Sequence, residues 1–278
     1  MTSTPASVKI TLFGCGRWGS RVARKLAKIP GVRLVVVDED QERARRLGES
    51  LGCAHSGDPF GYLGVTGTQA SSVDAGLVVI ATPPAVRERL VDAVLGGYGL
   101  APRAIRVEKP LALDTKTATR IAAKCDEHGV ALSVGFTLLH DPLYGAAFAY
   151  LRAGKRRVLR VEAVRIGAAP EHPVDPMIDA GIHAASVAAY LDAPASIIAE
   201  YDAHARIRKT YLHLADGVVV VDELDRRVDT PHGTMIVAPG GDALEDELEA
   251  WVSGTHRGTP RVAVQAQRII ENTKLVVA

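Results

Sequence analysis

Two short groups of side chains in this sequence are equipped for proton transfer. The first is Glu108-Lys109-Pro110, at the end of an apolar run. A proline disfavours helix at the residue before it, so Lys109 is held extended and its ammonium is aimed out over a strand end. Standing alone, it also fits an ordinary surface lysine at a strand terminus. The second group is Asp179-Ala180-Gly181-Ile182-His183. Side chains four apart on a helix share one face. A carboxylate beside an imidazole that titrates near neutrality makes an acid/base pair. Alone, this pair also fits a helix-surface ion pair or a satisfied core histidine. No third ligand accompanies it, so no metal site is expected.

A third group has the spacing of a nucleotide site. Val8–Phe13 is a mostly apolar run of strand length, followed by Gly14-Cys15-Gly16-Arg17-Trp18-Gly19. Trp18, Val22 and Leu26 then recur at helical spacing, and a second apolar run, Val32–Val37, ends on Asp38. Strand, G-x-G-x-x-G, helix, strand and acid is the order of a dinucleotide-binding βαβ unit. Gly14 allows the tight turn, Gly16 lets the backbone approach a pyrophosphate, and Gly19 lets helix and strand pack closely. The phosphates are expected on free N–H groups at the helix N-terminus. Asp38, nineteen residues after Gly19, is placed to accept from the adenosine ribose hydroxyls and to repel a 2′-phosphate. The expectation is therefore NAD in preference to NADP, with Arg43 close enough in sequence to oppose it. Cys15 sits inside the loop as a small side chain rather than a catalytic thiol.

The elements that position these groups follow from the apolar pattern. Gln41–Leu51 is helical and stops at Gly52, and His55–Asp74 is loop with at most one helical turn. Leu77–Ala81 and Ala104–Glu108 are buried parallel strands, with a helix from Ala85 to Leu95 between them. Asp114 or Thr115 caps a helix that ends near Gly129, and Val130–Phe136 is a further strand. Strands alternating with helices predict a doubly wound parallel sheet. In such sheets ligands bind outside the carboxyl ends of the strands, where Gly14, Thr82, Lys109 and Phe136 all fall.

Beyond Thr137 the pattern becomes α+β. Helices are expected at Pro142–Leu151 and Pro176–Leu191, and again at Asp242–Val252 and Val262–Val277. Strands are expected at Arg157–Ile166, Ala195–Asp202, Arg206–Leu214, Val218–Asp222 and Thr234–Val237, with a hairpin at Asp216-Gly217. The fold class is thus α/β, with a dinucleotide-binding domain at residues 1–137. A shortened α+β substrate-binding and oligomerisation domain, with a mainly antiparallel sheet, follows at 138–278.

Bulk properties exclude several classes. The 33 basic and 32 acidic side chains nearly cancel, and no extended basic block marks a nucleic-acid binder. The clusters Arg43, Arg45, Arg46 and Lys155-Arg156-Arg157 fit solvated helix faces or turns. No apolar run approaches the ~20 residues of a membrane span. Met1–Ser7 lacks the basic and apolar regions of a signal peptide, so a cytoplasmic protein is expected. The three cysteines have no C-x-x-C spacing and suggest neither disulfides nor zinc.

Taken together, G-C-G-R-W-G at Gly14–Gly19, A-T-P-P at Ala81–Pro84, V-E-K-P-L at Val107–Leu111, V-G-F at Val134–Phe136 and D-x-G-x-H at Asp179–His183 resemble the glucose–fructose oxidoreductase / inositol dehydrogenase / rhizopine catabolism family, usually called Gfo/Idh/MocA. The resemblance implies a nicotinamide-dependent oxidoreductase acting on a small polyhydroxylated, sugar-like or cyclitol substrate. It implies cofactor contacts from Gly14, Gly16, Arg17, Trp18, Gly19, Asp38, Thr82, Pro83, Glu108 and Lys109. It implies catalytic roles for Lys109, Asp179 and His183, in positioning the substrate and relaying its proton. It further implies a homo-oligomer, a dimer or a dimer of dimers, with the strands from Ala195 to Val237 as the contact surface.

The chain departs from the family pattern T-P-N-x-x-H at Pro84 and Arg87. It has Thr137-Leu138-Leu139 where N-R-R is common, and its second domain is short. These departures open the alternative of a reductase of a less polar ketone or imine. Two further alternatives are a cofactor-binding regulatory protein without turnover, and an enzyme that keeps its NAD and oxidises only transiently for elimination or epimerisation.

Overall fold

The apolar runs of the first half become strands of one parallel sheet because both faces of that sheet are covered. The computed structural model describes residues 7–63, 76–96, 102–169, 175–238 and 240–277; the polar stretch 1–6 and the loop expected at 64–74 lie outside them. Strands β1 (Val8–Phe13), β2 (Val32–Val37), β3 (Ala54–Ser56), β4 (Leu77–Ile80), β5 (Ala104–Glu108) and β6 (Ala131–Gly135) lie in the order β3-β2-β1-β4-β5-β6, every pair parallel. This is the doubly wound order, whose direction reverses between β1 and β4. Ile10, Leu12, Val36, Val78, Val79, Ile80, Ile105, Val107 and Val134 have no exposed surface at all, and each contributes about 1.5–3 kcal/mol by burial.

The connecting helices are α1 (Arg17–Leu26), α2 (Gln41–Leu51), α3 (Pro59–Tyr62), α4 (Pro84–Gly96) and α5 (Thr115–Glu127). Asp40 and Asp114 cap α2 and α5 by accepting from the amides of Arg43 and Thr117, and Gly52 ends α2 with φ +63°. One correction falls here. The stretch read as loop from His55 contains the end of β3, whose three residues are mostly exposed and carry no apolar alternation. Gly19, Val22, Ala23 and Leu26 form the buried stripe of α1, while Trp18 is 38% exposed.

The second unit opens on a 3₁₀ turn, Thr137–His140, followed by α6 (Pro142–Ala153), β7 (Arg160–Gly167) and a single π-helical turn, Met177–Gly181. Then come α7 (Ile182–Tyr190), β8 (Ala195–Tyr201), β9 (Ile207–Leu214), β10 (Gly217–Asp222), β11 (Arg227–Thr230), β12 (Gly233–Ile236), α8 (Ala243–Val252) and α9 (Pro260–Val277). The sheet order is β12-β11-β10-β9-β7-β8. Only β7 and β8 pair in parallel, joined through the π turn and α7; the other pairs are antiparallel. Strand β11 is absent from the sequence expectation because Val228 is its sole apolar residue. The hairpin between β9 and β10 turns on Ala215-Asp216, with Gly217 paired to Leu214 at φ +143°, one residue earlier than the Asp-Gly signal suggests.

A buried polar cluster ties α6 to this sheet. Arg165 Nη2 of β7 lies 2.6 Å from Glu223 Oε1 and donates to Thr210 Oγ1 of β9 at 2.8 Å and to Tyr144 Oη of α6 at 2.9 Å. Tyr144 in turn donates to Glu223 at 2.7 Å. Burial, with Glu223 alongside, pushes the Tyr144 hydroxyl well above its usual range, so it remains a donor.

The units are discontinuous in sequence. Met1–Gly135 groups with Leu248–His256, and Phe136–Glu247 with Arg257–Ala278. The division thus runs through α8, where no change of composition marks it.

Candidate active site

At the end of β1 the chain must turn sharply and let a helix start against it. Gly14 takes φ +97°, and a Cβ there would lie 2.8 Å from the Ala81 carbonyl carbon of the neighbouring strand end. A Cβ on Gly19 would lie 1.8 Å from the Gly14 oxygen, so α1 approaches β1 as closely as it does only because that atom is missing. Gly16 differs: among the described residues, chain neighbours and its own helix aside, nothing lies within 4 Å of where its Cβ would be. It precedes α1, which has no side-chain cap and no acid in its first turn. Helix amides therefore open onto free space, an arrangement suited to an anionic group.

Asp38 closes the other side. It is 6% exposed, and its carboxylate is already oriented by the amides of Cys15, 2.6 Å from Oδ2, and Asp40, 2.9 Å from Oδ1. The Arg43 guanidinium lies 3.2 Å from Oδ1. Arg43, exposed on α2, also reaches back to the acid at the end of β2. Oδ1 thus accepts from Asp40 and Arg43, and Oδ2 from Cys15 with Arg43 at a long 3.5 Å. A ribose hydroxyl would therefore be accepted in place of the half-exposed guanidinium. Burial, with Asp38 nearby, pushes the Cys15 thiol up to about 12, which keeps it protonated and unreactive.

These groups border one cleft of about 500 Å³ at the switch point between β1 and β4. Gly14, Gly16, Arg17, Trp18, Gly19, Asp38, Thr82 and Pro83 all line it. Thr82 Oγ1 is buried and meets no hydrogen-bond partner among the described residues. An uncapped helix start, an oriented carboxylate and this hydroxyl fit a dinucleotide lying from Asp38 across Gly16 toward Thr82. Sequence reading missed part of the wall: Phe60 lines the cleft with the Arg89 guanidinium 4.4 Å from its ring centroid. The only hint was the apolar knot Pro59–Leu63 in an otherwise polar stretch.

Glu108 and Lys109 do not line this cleft. The Glu108 carboxylate is buried, 2.6 Å from Arg106 Nη1, and Lys109 follows, half-buried, at the end of β5 with a cis peptide to Pro110. In the second unit Asp179 lies in the π-helical turn, where its Oδ2 accepts from Tyr201 Oη at 3.3 Å. His183 is half-buried in the first turn of α7, and its carbonyl accepts from Ser186 Oγ at 2.6 Å. The continuous α-helix expected over Pro176–Leu191 is therefore interrupted. Gly181, whose Cβ would sit 3.0 Å from Met177 Sδ and 3.4 Å from Ala199 Cβ, lets the wider turn pack beside β8. Apolar spacing does not distinguish a π turn from an α turn, and single π turns recur at functional sites. Among the described residues no three His, Cys, Asp or Glu side chains gather as for a metal ion.

Residues 8–136 match the family described as GFO_IDH_MocA, oxidoreductase family, NAD-binding Rossmann fold. Over that stretch the chain is similar to this family. It is 31% identical over 167 residues to the myo-inositol dehydrogenase Hyg17 of Streptomyces leeuwenhoekii, an alignment covering 60% of this chain and 46% of that protein. It is 31% identical over 195 residues to scyllo-inositol 2-dehydrogenase (NAD(+)) of Bacillus subtilis (strain 168), covering 66% of this chain and 54% of that one. The chain thus spans about half the length of the curated relatives it matches. Across 97% of both chains it shares the fold of UDP-N-acetylglucosamine 3-dehydrogenase GnnA from Acidithiobacillus ferrooxidans, with a TM-score of 0.79 at 20% identity. At that identity the likeness speaks for the fold, a parallel Rossmann sheet plus a mainly antiparallel second sheet.

Proposed function

We propose that this chain is an NAD(P)-dependent oxidoreductase that moves a hydride between nicotinamide and a secondary alcohol or ketone of a small polyhydroxylated, sugar-like or cyclitol substrate. The observation that carries the reading is the cleft at the β1/β4 switch point, with free helix amides at one wall and the oriented Asp38 carboxylate at another. The nicotinamide, when bound, supplies the hydride acceptor or donor. Lys109 and His183 are assigned the proton relay. As the C–H electron pair leaves, one of them takes the hydroxyl proton, and a cation beside the developing alkoxide stabilises it. Asp179, held by Tyr201, is assigned substrate orientation, and Glu108 supports Lys109 from the strand end. The first part of the chain, 1–137, is assigned to the cofactor and 138–278 to substrate and assembly. The names of the two inositol dehydrogenases support the cyclitol class.

The test is a screen of myo-inositol, scyllo-inositol, other polyols, keto-sugars and cyclic imines, read as absorbance of the reduced nicotinamide. Asp179→Ala is expected to raise KM for the active compound more than it lowers kcat. A second reading, reduction of a less polar ketone or imine, is favoured by the turn after β6. There Leu139 is fully buried and the Thr137 hydroxyl is spent on Glu247 at 2.9 Å, so the polar groups common in the family are not offered. NADH binding without turnover of any compound would leave the non-catalytic cofactor-binding alternative.

Cofactor choice follows from Asp38. A 2′-phosphate would meet a buried carboxylate, so NADH is expected to bind at least about tenfold more tightly than NADPH, a difference of ~1.4 kcal/mol. Arg43 is 47% exposed and offsets this only weakly; Arg43→Ala should widen the gap. Fluorescence titration of both reduced cofactors decides, and tighter NADPH binding would reverse the assignment.

Assembly as a homodimer, in the cytoplasm, belongs to the same proposal. Among the described residues no helix is long and apolar enough to cross a membrane. On the second sheet Val161, Ala163, Leu212, Val219, Val221 and Val228 are buried, whereas Ile198, Val218 and Ile236 are 50%, 37% and 73% exposed. By register these three lie on the opposite face, among the ion pairs His213–Glu162, Lys209–Asp222 and Arg227–Asp229. This mixed apolar and charged surface is proposed to meet a second copy. Sedimentation of a monomer at micromolar concentration would remove this part.

A further inference from the structure

Helix α4 carries an arginine where its pattern asks for an apolar side chain. Its buried positions are Arg87, Leu90, Val91, Val94 and Leu95, the stripe with which an amphipathic helix faces a core. Arg87 is 3% exposed. Burial lowers its pKa to about 10, with Glu108 opposing the shift, so the guanidinium is a cation at neutral pH. A buried cation persists only where its donors are used, and here three carbonyls use them. Nε donates to the Thr82 oxygen at 2.9 Å, and Nη1 donates to the oxygens of Glu108 and Pro110. The last two residues stand immediately before and after Lys109. Thr82 belongs to the loop that lines the cofactor cleft.

We infer that Arg87 is a positioning residue for Lys109. Its guanidinium clamps the main chain on both sides of the lysine and ties that segment to the Thr82 loop. The ammonium is thereby delivered at a set place relative to the cofactor cleft. The inference rests on the assignment of Lys109 to the chemistry.

The surroundings explain why an arginine is used. β4 ends at Ile80, level with Val107, so beyond that pair β4 offers no ladder partner to the segment that carries Lys109. A buried carbonyl without a donor is costly. The five N–H groups of one planar guanidinium can serve several carbonyls at once, which an ammonium on a flexible stem does less well. The Glu108 side chain is fixed from the other direction by Arg106 at 2.6 Å. Gly135 closes over both, since a Cβ there would lie 2.4 Å from Arg106 Nη2 and 3.0 Å from Glu108 Oε2. Lys109 thus extends from a strand end whose side chain and carbonyls are both immobilised. Rigid support matters because a shift on the order of 1 Å in a reacting group costs about 10²-fold in rate.

The test is a double-mutant cycle on the full chain with Arg87→Met and Lys109→Met, using the polyol turned over fastest in the screen above. With Lys109 present, Arg87→Met is expected to lower kcat by about 10²-fold, with KM for the polyol moving far less. In the Lys109→Met background it should leave the residual rate unchanged, because the group it positions is gone. Equal losses in both backgrounds would overturn the inference, since they would mean that Arg87 acts on the fold or on the cofactor independently of the lysine. Near-normal turnover by Lys109→Met alone would instead overturn the assignment of Lys109, and the inference with it.

Should Arg87→Met not fold, Arg87→Lys keeps the charge and loses the fork, and it carries the same cycle at smaller amplitude. A readout that needs no substrate is the rate of acetylation by acetic anhydride, followed residue by residue by mass spectrometry. Substitution at Arg87 should change the reactivity of Lys109 while exposed Lys116 keeps its own. Unchanged Lys109 reactivity in folded protein would also overturn the inference.

Discussion

Replacing Lys109 by methionine is expected to lower kcat by about 10²–10⁴-fold, the usual worth of a positioned acid or base, with little change in NADH affinity. The two effects separate because the cleft that would hold the dinucleotide is lined by the glycine turn, Asp38 and Thr82, and Lys109 is not part of that lining. Methionine keeps an unbranched apolar stem, one atom shorter, and removes the charge and its donors. His183→Ala should cost as much if the imidazole is the base and less if it orients the substrate, so the pair of variants ranks the two candidates. Steady-state kinetics with a parallel fluorescence titration of NADH make the measurement. Turnover close to that of the unaltered chain would mark Lys109 as an ordinary strand-end lysine.

The second large effect is expected at the glycine turn, where two glycines should fail in different ways. Gly19→Ala places a methyl 1.8 Å from the Gly14 oxygen and 3.2 Å from the Ala81 Cβ, so α1 must move off β1. Overpacking of this kind costs about 1–3 kcal/mol, and both the melting temperature and NADH binding should fall. Gly16→Ala meets nothing within 4 Å among the described residues beyond its own chain neighbours and helix, so the melting temperature should hold. NADH affinity should nevertheless drop, because the methyl would enter the space proposed for the pyrophosphate. Thermal unfolding and NADH titration of the two variants separate fold from binding. Normal NADH affinity in Gly16→Ala would mean that the phosphates do not pass there.

The first unit was legible in the sequence because its signals are local. Gly14, Gly19 and Asp38 act within one βαβ unit, and strands buried on both faces show as unbroken apolar runs. What escaped is carried by position in space. Arg43 looked like a member of a surface cluster with Arg45 and Arg46, yet it turns back to Asp38, whereas Arg45 pairs with Glu42 and Glu49 on its own helix. Arg87 was visible only as a departure from a pattern; its carbonyl partners are Thr82, five residues back, and Glu108 and Pro110, at and just beyond the end of β5. Strands β3 and β11 are too short and too polar to alternate visibly. The π turn at Asp179 is silent because the same residues satisfy the spacing of an α-helix.

The cluster of Tyr144, Arg165, Thr210 and Glu223 also bears on how the second unit can change over generations. Its members come from α6, β7, β9 and the end of β10, and each meets at least two of the others. Losing any one strands a buried charge or hydroxyl at a cost of several kcal/mol, a large fraction of a domain's net stability. A one-residue slip of β7 would turn Arg165 to the opposite face with the same result. Stepwise drift through single substitutions is therefore closed at these four positions, while a concerted exchange for apolar side chains of matching volume is open. Lineages descending from this chain should keep the quartet whole or lose it whole.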